Sequence, residues 1–424
     1  TIISDKTITL NGDLVSSVIE GEEVIVLAEK KLIQFDVTQS EAIISSEELD
    51  GMPVTEVEEV LRLQGGVTVD SDGGIHMRGG RTSEVSYMVD GVPMSDVYSG
   101  GIGVQIENDN IQELQVISGT FNAEYGRALT GVVNMVTKDG GNKFEGSIHT
   151  YAGDYQSGDN IYNNLEKFDI QDDYSFSANL SGPIIKDKVT FYSSGRVNQS
   201  NGWLNGLQTF TIYGDTIFSD LNDNLYLDGL ETQKEPYYKG LNWYDSWSSQ
   251  NKITFNVLKN TIFKINTIIN SRKGQDYNHF LQFLENAQIT NYNEGKFFGF
   301  NLTHSLSATS FIEAKISENN FNYESYLFED PLDRRYITPD SLFLAMQENR
   351  IPEHIIEQYG DQVQYYPAYS LFRAGVDNRR FKRKTKTRNV KLDYTSQINR
   401  FNQIKIGLDF SDHSLMLDNY SILD

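Results

Sequence analysis

Cysteine is missing from all 424 residues, which excludes a disulfide framework and thiolate metal sites but leaves oxidising and reducing compartments both open. No run approaches the roughly 18 consecutive apolar residues of a membrane-spanning helix. A membrane role would therefore need a barrel, which hydropathy scans miss, or a surface anchor. Positive charge is scarce: 36 Lys and Arg stand against 59 Asp and Glu, a formal charge of −23. That balance argues against nonspecific binding to nucleic acid through the phosphate backbone, and its plain reading is a solvated acidic surface. Thr1 opens the chain with no Met, basic stretch or apolar run after it, so no secretion signal is visible. The 6 His are scattered, no metal-protease or nucleophile-elbow spacing occurs, and the chain reads as a non-enzyme.

What is present points to strands. Hydrophobic residues make up 38% and aromatics 12%, with 24 Tyr and 23 Phe. The apolar share is low for a globular core and the aromatic share high, as suits β-strands whose faces meet lipid and water and end in aromatic girdles.

Three textures follow one another. Residues 1–20 hold a short strand-like stretch, Thr7-Ile8-Thr9-Leu10, and read as the end of a preceding β domain. Residues 21–140 are rich in Gly and carry one helix candidate, Glu56 to Leu63, with Val57, Val60 and Leu61 on one face and Thr55 as its cap. Around it lie short apolar runs at Ile75–Arg78, Val85–Val89, Leu114–Ile117 and Val132–Val136, which suit a small mixed α/β domain. From about Lys143 the pattern becomes strands of around ten residues with alternating faces. Ile404, Ile406, Leu408 and Phe410 share one face, as do Val390, Leu392 and Tyr394, and as do Phe263, Ile265 and Ile269.

The connections between these strands alternate. Tight ones fall near Pro183 to Lys186, at Lys259-Asn260, near Ala308 and at Asn399-Arg400; long polar ones fall near 154–172, 199–243, 272–294 and 324–382. With every second connection long, all the long ones share one rim, as in outer-membrane barrels. Pro339 to Gly360 holds two helical stretches, the second opening on Pro352. Tyr237, Tyr238, Trp243, Tyr244 and Trp247 cluster before a strand, where a water–lipid interface or a soluble core patch would accommodate them.

A succession of blocks then carries a resemblance. It runs Glu22-Glu23-Val24-Ile25-Val26-Leu27-Ala28, Pro53-Val54, Ile75-His76-Met77-Arg78-Gly79-Gly80-Arg81, Tyr87-Met88-Val89-Asp90-Gly91-Val92-Pro93 and Ile111-Gln112-Glu113-Leu114-Gln115-Val116. It ends in Glu124-Tyr125-Gly126 and Gly131-Val132-Val133-Asn134-Met135-Val136-Thr137-Lys138. In this order the blocks resemble the plug domain of TonB-dependent receptors. Where many members have a basic-Gly-Pro turn, this chain has Ile117-Ser118-Gly119-Thr120. The stretch Phe121 to Arg127 resembles the large receptors that carry an N-terminal carboxypeptidase-regulatory-like domain.

The resemblance implies a remnant of that regulatory-like domain over 1–20, a TonB-box-like segment over 21–30, a plug over 31–140, and the first part of an antiparallel transmembrane β-barrel over 141–424. About nine strands of the family's 22 are expected, so the chain reads as incomplete at both ends. The extended Glu23, Val24, Ile25 and Val26 would add as a strand to TonB and its inner-membrane energising complex; the last strand of the preceding domain is the alternative. Arg78 and Arg81, bracketing Gly79 and Gly80, would reach acidic residues on the barrel wall. Asp90-Gly91 reads as a tight turn, and Tyr125, Gly126 and Asn134 complete the plug motif. The implied function is energy-coupled uptake of an unidentified extracellular substrate across the outer membrane of a Gram-negative bacterium. An adhesin or assembly platform without transport is the alternative.

Two further candidates come from spacing. Asp220, Asn222, Asn224, Asp228 and Glu231 occupy positions one, three, five, nine and twelve of an EF-hand-like loop, with Leu225 at the turn glycine; this makes calcium the one cofactor candidate, against a plain polar loop. Lys384, Lys386 and Arg388 share parity with Val390 and Leu392. If those two face lipid, the cations lie nearer the outer rim, within reach of lipopolysaccharide phosphates.

Overall fold

In the computed structural model the described residues are 40–52, 56–70, 74–119, 125–126, 128–159, 161–212, 237–336, 371–372, 375–399 and 401–422. They fall into two compact units. The first takes the described residues up to Ser95 together with Ser99–Ile102 and Ile106–Lys138; the second takes Asp96–Tyr98, Gly103–Gln105 and everything from Asp139 on.

The first unit runs β1 (Ser40–Ser45), α1 (Ser46–Asp50), α2 (Val57–Arg62), β2 (Val67–Val69), β3 (Ile75–Met77), β4 (Val85–Val89), β5 (Val92–Pro93), β6 (Ile111–Ser118) and β7 (Gly131–Thr137). Five strands make one sheet in the order β1-β6-β7-β4-β5, and β2 pairs with β3 separately. The β4–β7 pair is parallel and the other pairs are antiparallel. Every residue of β4 is buried, as expected of a strand in a parallel pair covered on both faces. Met88, Ile117 and Val132 form one cluster with Tyr125 and Ala128 against it; each apolar side chain so buried contributes about 2 kcal/mol.

Helix α2 buries Val57, Val60 and Leu61, the face its spacing dictates. Its cap differs from expectation. Glu56 occupies that position, and the Glu59 carboxylate accepts from the Glu56 backbone N–H at 3.3 Å. Thr55 lies outside the described residues.

The second unit is dominated by nine antiparallel strands: β8 (Glu145–Gly153), β9 (Asp173–Ile185), β10 (Val189–Ser200), β13 (Tyr244–Leu258), β14 (Thr261–Gly274), β15 (Thr290–Ser307), β16 (Ser310–Tyr326), β17 (Arg379–Asn399) and β18 (Asn402–Ser421). Each pairs with the next in this list, with β8 and β18 outermost. A separate hairpin, β11 (Asn205–Gln208) with β12 (Tyr237–Gly240), lies within one long connection. Connections over 154–172, 201–243, 275–289 and 327–378 alternate with tight ones over 186–188, 259–260, 308–309 and 400–401. The long ones therefore share one end of the sheet.

Two expectations shift. Pro183 lies inside β9, opposite Thr190 and beside a register irregularity, where a residue without an N–H is tolerated. The turn itself is 186–188, with Asp187 at φ 61°. All the strands of this sheet but β8 also exceed ten residues, reaching 21 in β17 and 20 in β18.

Burial on this sheet runs opposite to that of a soluble sheet. On β17, Arg383, Thr385, Thr387, Asn389, Lys391, Asp393 and Thr395 are buried, whereas Val390 and Leu392 are 48% and 46% exposed. β18, at the edge of the sheet, is exposed on both faces, Ile404, Ile406, Leu408 and Phe410 included. A contiguous apolar face of this kind is stable only against a non-aqueous neighbour.

Three long connections share a small core of their own. Ile212, Leu281, Leu284, Ala287, Tyr336 and Val376 bury one another. The helical stretches expected in Pro339 to Gly360 lie outside the described residues.

Candidate functional site

Three sets of residues concentrate the chemistry, and the first is the pair of glycine turns in the first unit. Arg78 and Gly79 both adopt left-handed backbone, φ 49° and 77°. This closes the turn with Gly80 N–H on the Met77 carbonyl at 2.9 Å and Arg78 N–H on the Gly66 carbonyl at 2.8 Å. A Cβ on Gly80 would meet Thr130 Cγ2 at 2.1 Å, so no larger residue fits. The Arg78 guanidinium lies over Gly119, and the Arg81 N–H donates to Glu84 Oε2 at 3.0 Å. The second turn, Asp90-Gly91, is left-handed at both residues, φ 49° and 76°, the geometry of a two-residue hairpin joining β4 and β5.

A polar network braces that second turn. Asp90 accepts from Thr137 N–H at 3.0 Å and Thr137 Oγ1 at 2.8 Å. Asn134 accepts from Gly91 N–H at 3.0 Å and donates to Gln115 Oε1 at 2.9 Å, and Gln115 donates in turn to Glu113. Asp90, Gly91 and Asn134 were legible in the sequence; Glu113, Gln115 and Thr137 were not. For Glu113 and Gln115 the signal is polar residues at buried positions of β6; Thr137, at the end of β7, carries none. Tyr125 packs beside Ile117 and Val132, and Gly126 stands in open space.

His76 and Glu58 were also missed as titratable groups. The ring of His76 places Nδ1 2.8 Å from the Gly80 carbonyl and Nε2 3.0 Å from Asp70 Oδ2. The Asp70 carboxylate, with the Gly80 carbonyl, raises its pKa above the ordinary histidine value. Glu58, at the start of α2, is pushed up to about 7 by burial and then by the carboxylates of Glu56, Glu107 and Glu59, against its own backbone N–H.

The second set is the exposed face of the sheet. Register places Phe191, Ile253, Ile265, Phe300, Ile316, Val390 and Phe410 in one row across seven strands. One step toward the long connections the row becomes Ser193, Asn251, Thr267, Phe298, Glu318, Arg388 and Asp412. On β17 the apolar band runs from Ile398 up to Val390, matching the roughly 9–11 residues of a transmembrane strand. Above it, on the same face, stand Arg388, Lys386, Lys384 and Lys382. Glu318 accepts from Lys386 Nζ at 2.8 Å and Arg388 Nε at 3.0 Å, and Glu324 pairs with Lys382 at 2.7 Å.

The third set lies on the buried polar face. Arg383 pairs with Asp96 at 2.9 Å and stacks over Tyr98 and Phe321, 4.5 and 5.0 Å from their ring centroids. Asp139 bridges Lys252 at 3.2 Å and Lys264 at 2.7 Å. Burial alone would raise the Asp139 pKa, but the two lysines outweigh it and hold the carboxyl below its ordinary value.

Some sequence candidates are beyond description. Glu23, Val24, Ile25 and Val26, and the calcium candidates Asp220, Asn222, Asn224, Asp228 and Glu231, lie outside the described residues, as does Glu124. Among the described residues no group of three or more His, Cys, Asp or Glu is placed to hold a metal ion. Of the aromatic cluster, Tyr237 and Tyr238 belong to the loop hairpin, while Tyr244 and Trp247 lie on β13.

A strand sheet with its polar face buried and its apolar face exposed, preceded by a small mixed α/β unit, defines the plug-and-barrel class of outer-membrane protein. Residues 34–133 match the TonB-dependent receptor plug domain. The TonB-dependent transporter Oar of Myxococcus xanthus is 30% identical over 135 residues, covering 28% of this chain and 12% of that protein. A probable TonB-dependent siderophore receptor, PirA of Acinetobacter baumannii, is 26% identical over 201 residues, 42% of this chain and 25% of that one. Among solved structures, the alcaligin outer-membrane receptor FauA of Bordetella pertussis matches 91% of this chain and 49% of its own, with TM-score 0.57 and 10% identity. The chain thus spans about half of that receptor. Residues 34–133 are thus similar to the plug of TonB-dependent receptors, and the strand sheet shares the fold of a solved outer-membrane receptor.

Proposed function

We propose that this receptor imports a solute across the outer membrane, energised through TonB. The observation that carries the reading is the conjunction of a plug-type first unit with a sheet whose apolar face is exposed over one membrane-crossing length. In this reading solute binds on the side of the long connections. TonB then draws on the segment around Glu23 to Val26 by strand addition. No bond is made or broken. The names of the relatives, a transporter and a siderophore receptor, support uptake, and the solute of this chain is a separate matter.

The coupling is tested with the full-length receptor and the periplasmic domain of TonB. Wild type binds, and Val24→Pro/Val26→Pro loses binding by at least about tenfold, because proline removes the donors that strand pairing needs. Equal affinity for the two would end the assignment of this segment. On the same reading, the cations above the apolar band of β17 would hold phosphates of outer-leaflet lipopolysaccharide as a second partner.

A further inference from the structure

His76 sits within the Ile75–Arg81 block, yet nothing in transport calls for a histidine there. Its ring meets oxygens on either side of β3, in addition to the β2–β3 pairing and the Arg78 N–H bond to the Gly66 carbonyl. On one side Nδ1 meets the Gly80 carbonyl at 2.8 Å; on the other Nε2 meets Asp70 Oδ2 at 3.0 Å, with Thr82 Oγ1 at 3.5 Å from the same nitrogen. Asp70 also accepts from Gly74 N–H at 2.6 Å through its other oxygen. Both principal partners of the ring are acceptors that carry no proton at neutral pH. A neutral imidazole has one N–H and one lone pair, so it makes one of these bonds and points a lone pair at the other oxygen. Only the imidazolium makes both.

We infer that His76 is a proton-controlled clasp: protonated, it ties Asp70 to the Arg78-Gly79-Gly80 turn, and loss of its proton releases one of the two. Asp70 is the charged group on the ring among the described residues. The Glu84 carboxylate is held by the Arg81 N–H at 3.0 Å, the Arg78 guanidinium lies over Gly119, and β2 faces the histidine with Thr68. The turn that the clasp grips is left-handed at Arg78 and Gly79, a conformation that costs a non-glycine residue such as Arg78 stability. The clasp does not presuppose import; it concerns the local stability of the first unit.

The sign is fixed by the direction of the shift. With the folded-state pKa raised, the clasp is complete below the ordinary histidine value and is lost as pH rises through the folded one. Hydrogen exchange of the full-length receptor in micelles reads this out, after correction for the intrinsic pH dependence of exchange. Peptides spanning 74–84 should exchange about tenfold faster at about pH 9 than at about pH 5 in wild type, with a ratio near one in His76→Gln. In Asp70→Asn the midpoint should move to lower pH. The Asn variant also serves if the Gln variant does not fold. A pH-independent wild type, or the same pH response in either variant, overturns the clasp.

Discussion

Arg383 and Asp96 meet at 2.9 Å within the second unit, with 9% and 1% of their side chains exposed. A carboxylate oxygen meets a terminal guanidinium nitrogen, and the aromatic rings of Tyr98, Phe321 and Tyr323 lie 4.5, 5.0 and 5.8 Å from the guanidinium. Little water remains to solvate either charge, so removing one partner strands the other.

Asp96→Asn should therefore destabilise the full-length receptor by about 3–5 kcal/mol, the range for a buried pair broken on one side. Asp96→Leu/Arg383→Met should recover much of that loss, since an apolar pair of similar volume carries no unpaired charge. Denaturant unfolding in micelles checks both. A double variant as unstable as the single would show that packing, not charge, sets the cost.

The first unit should lose stability as pH rises from about 4.5 to about 7. Glu58, pushed up to about 7 by burial and neighbouring carboxylates, is protonated in the folded state where the unfolded chain is already ionised. Between its ordinary value of 4.5 and about 7 the folded state binds the extra proton, so stability falls with rising pH and levels off above that window. Glu58→Gln should flatten the profile in this range. An unchanged slope in that variant would assign the dependence to other groups.

On the exposed face, replacing Lys384, Lys386 and Arg388 together with Gln should lower the lipopolysaccharide that co-purifies with the receptor, with little effect on folding. Exposed ion pairs such as those with Glu318 are each worth only about 0–1 kcal/mol. Phosphate on the purified protein, measured against wild type, is the readout. Unchanged lipopolysaccharide content would leave these cations as a solvated belt paired to Glu318.

Much of this architecture is legible in residue order because its rules are local. Alternation along Val390, Leu392 and Tyr394 names a face without reference to any neighbour, and the tight pair Lys259-Asn260 names a turn. The Asp90-Gly91 hairpin is likewise local, since two left-handed residues in succession favour Gly with Asp or Asn. The position of Pro183 was misread because proline ordinarily ends a strand, and the bulge that accommodates it is a property of the pair β9–β10. The cap of α2 shifted from Thr55 to Glu56 for a related reason: a returning Glu59 side chain satisfies the terminal N–H groups without a hydroxyl.

Sequence alone determined that strands alternate, that their connections alternate in length, and that a glycine-punctuated unit precedes them, because each follows from side-chain period and backbone freedom within a few residues. Tertiary structure alone decided that Arg388 meets Glu318 across a strand pair, that Asp96 reaches Arg383 and that His76 lies between two acceptors. The first and second pairings span 70 and 287 residues, and even the ring of His76 is placed by how a loop and a turn close around it. Contacts of that kind depend on register and chain closure, which no local period encodes.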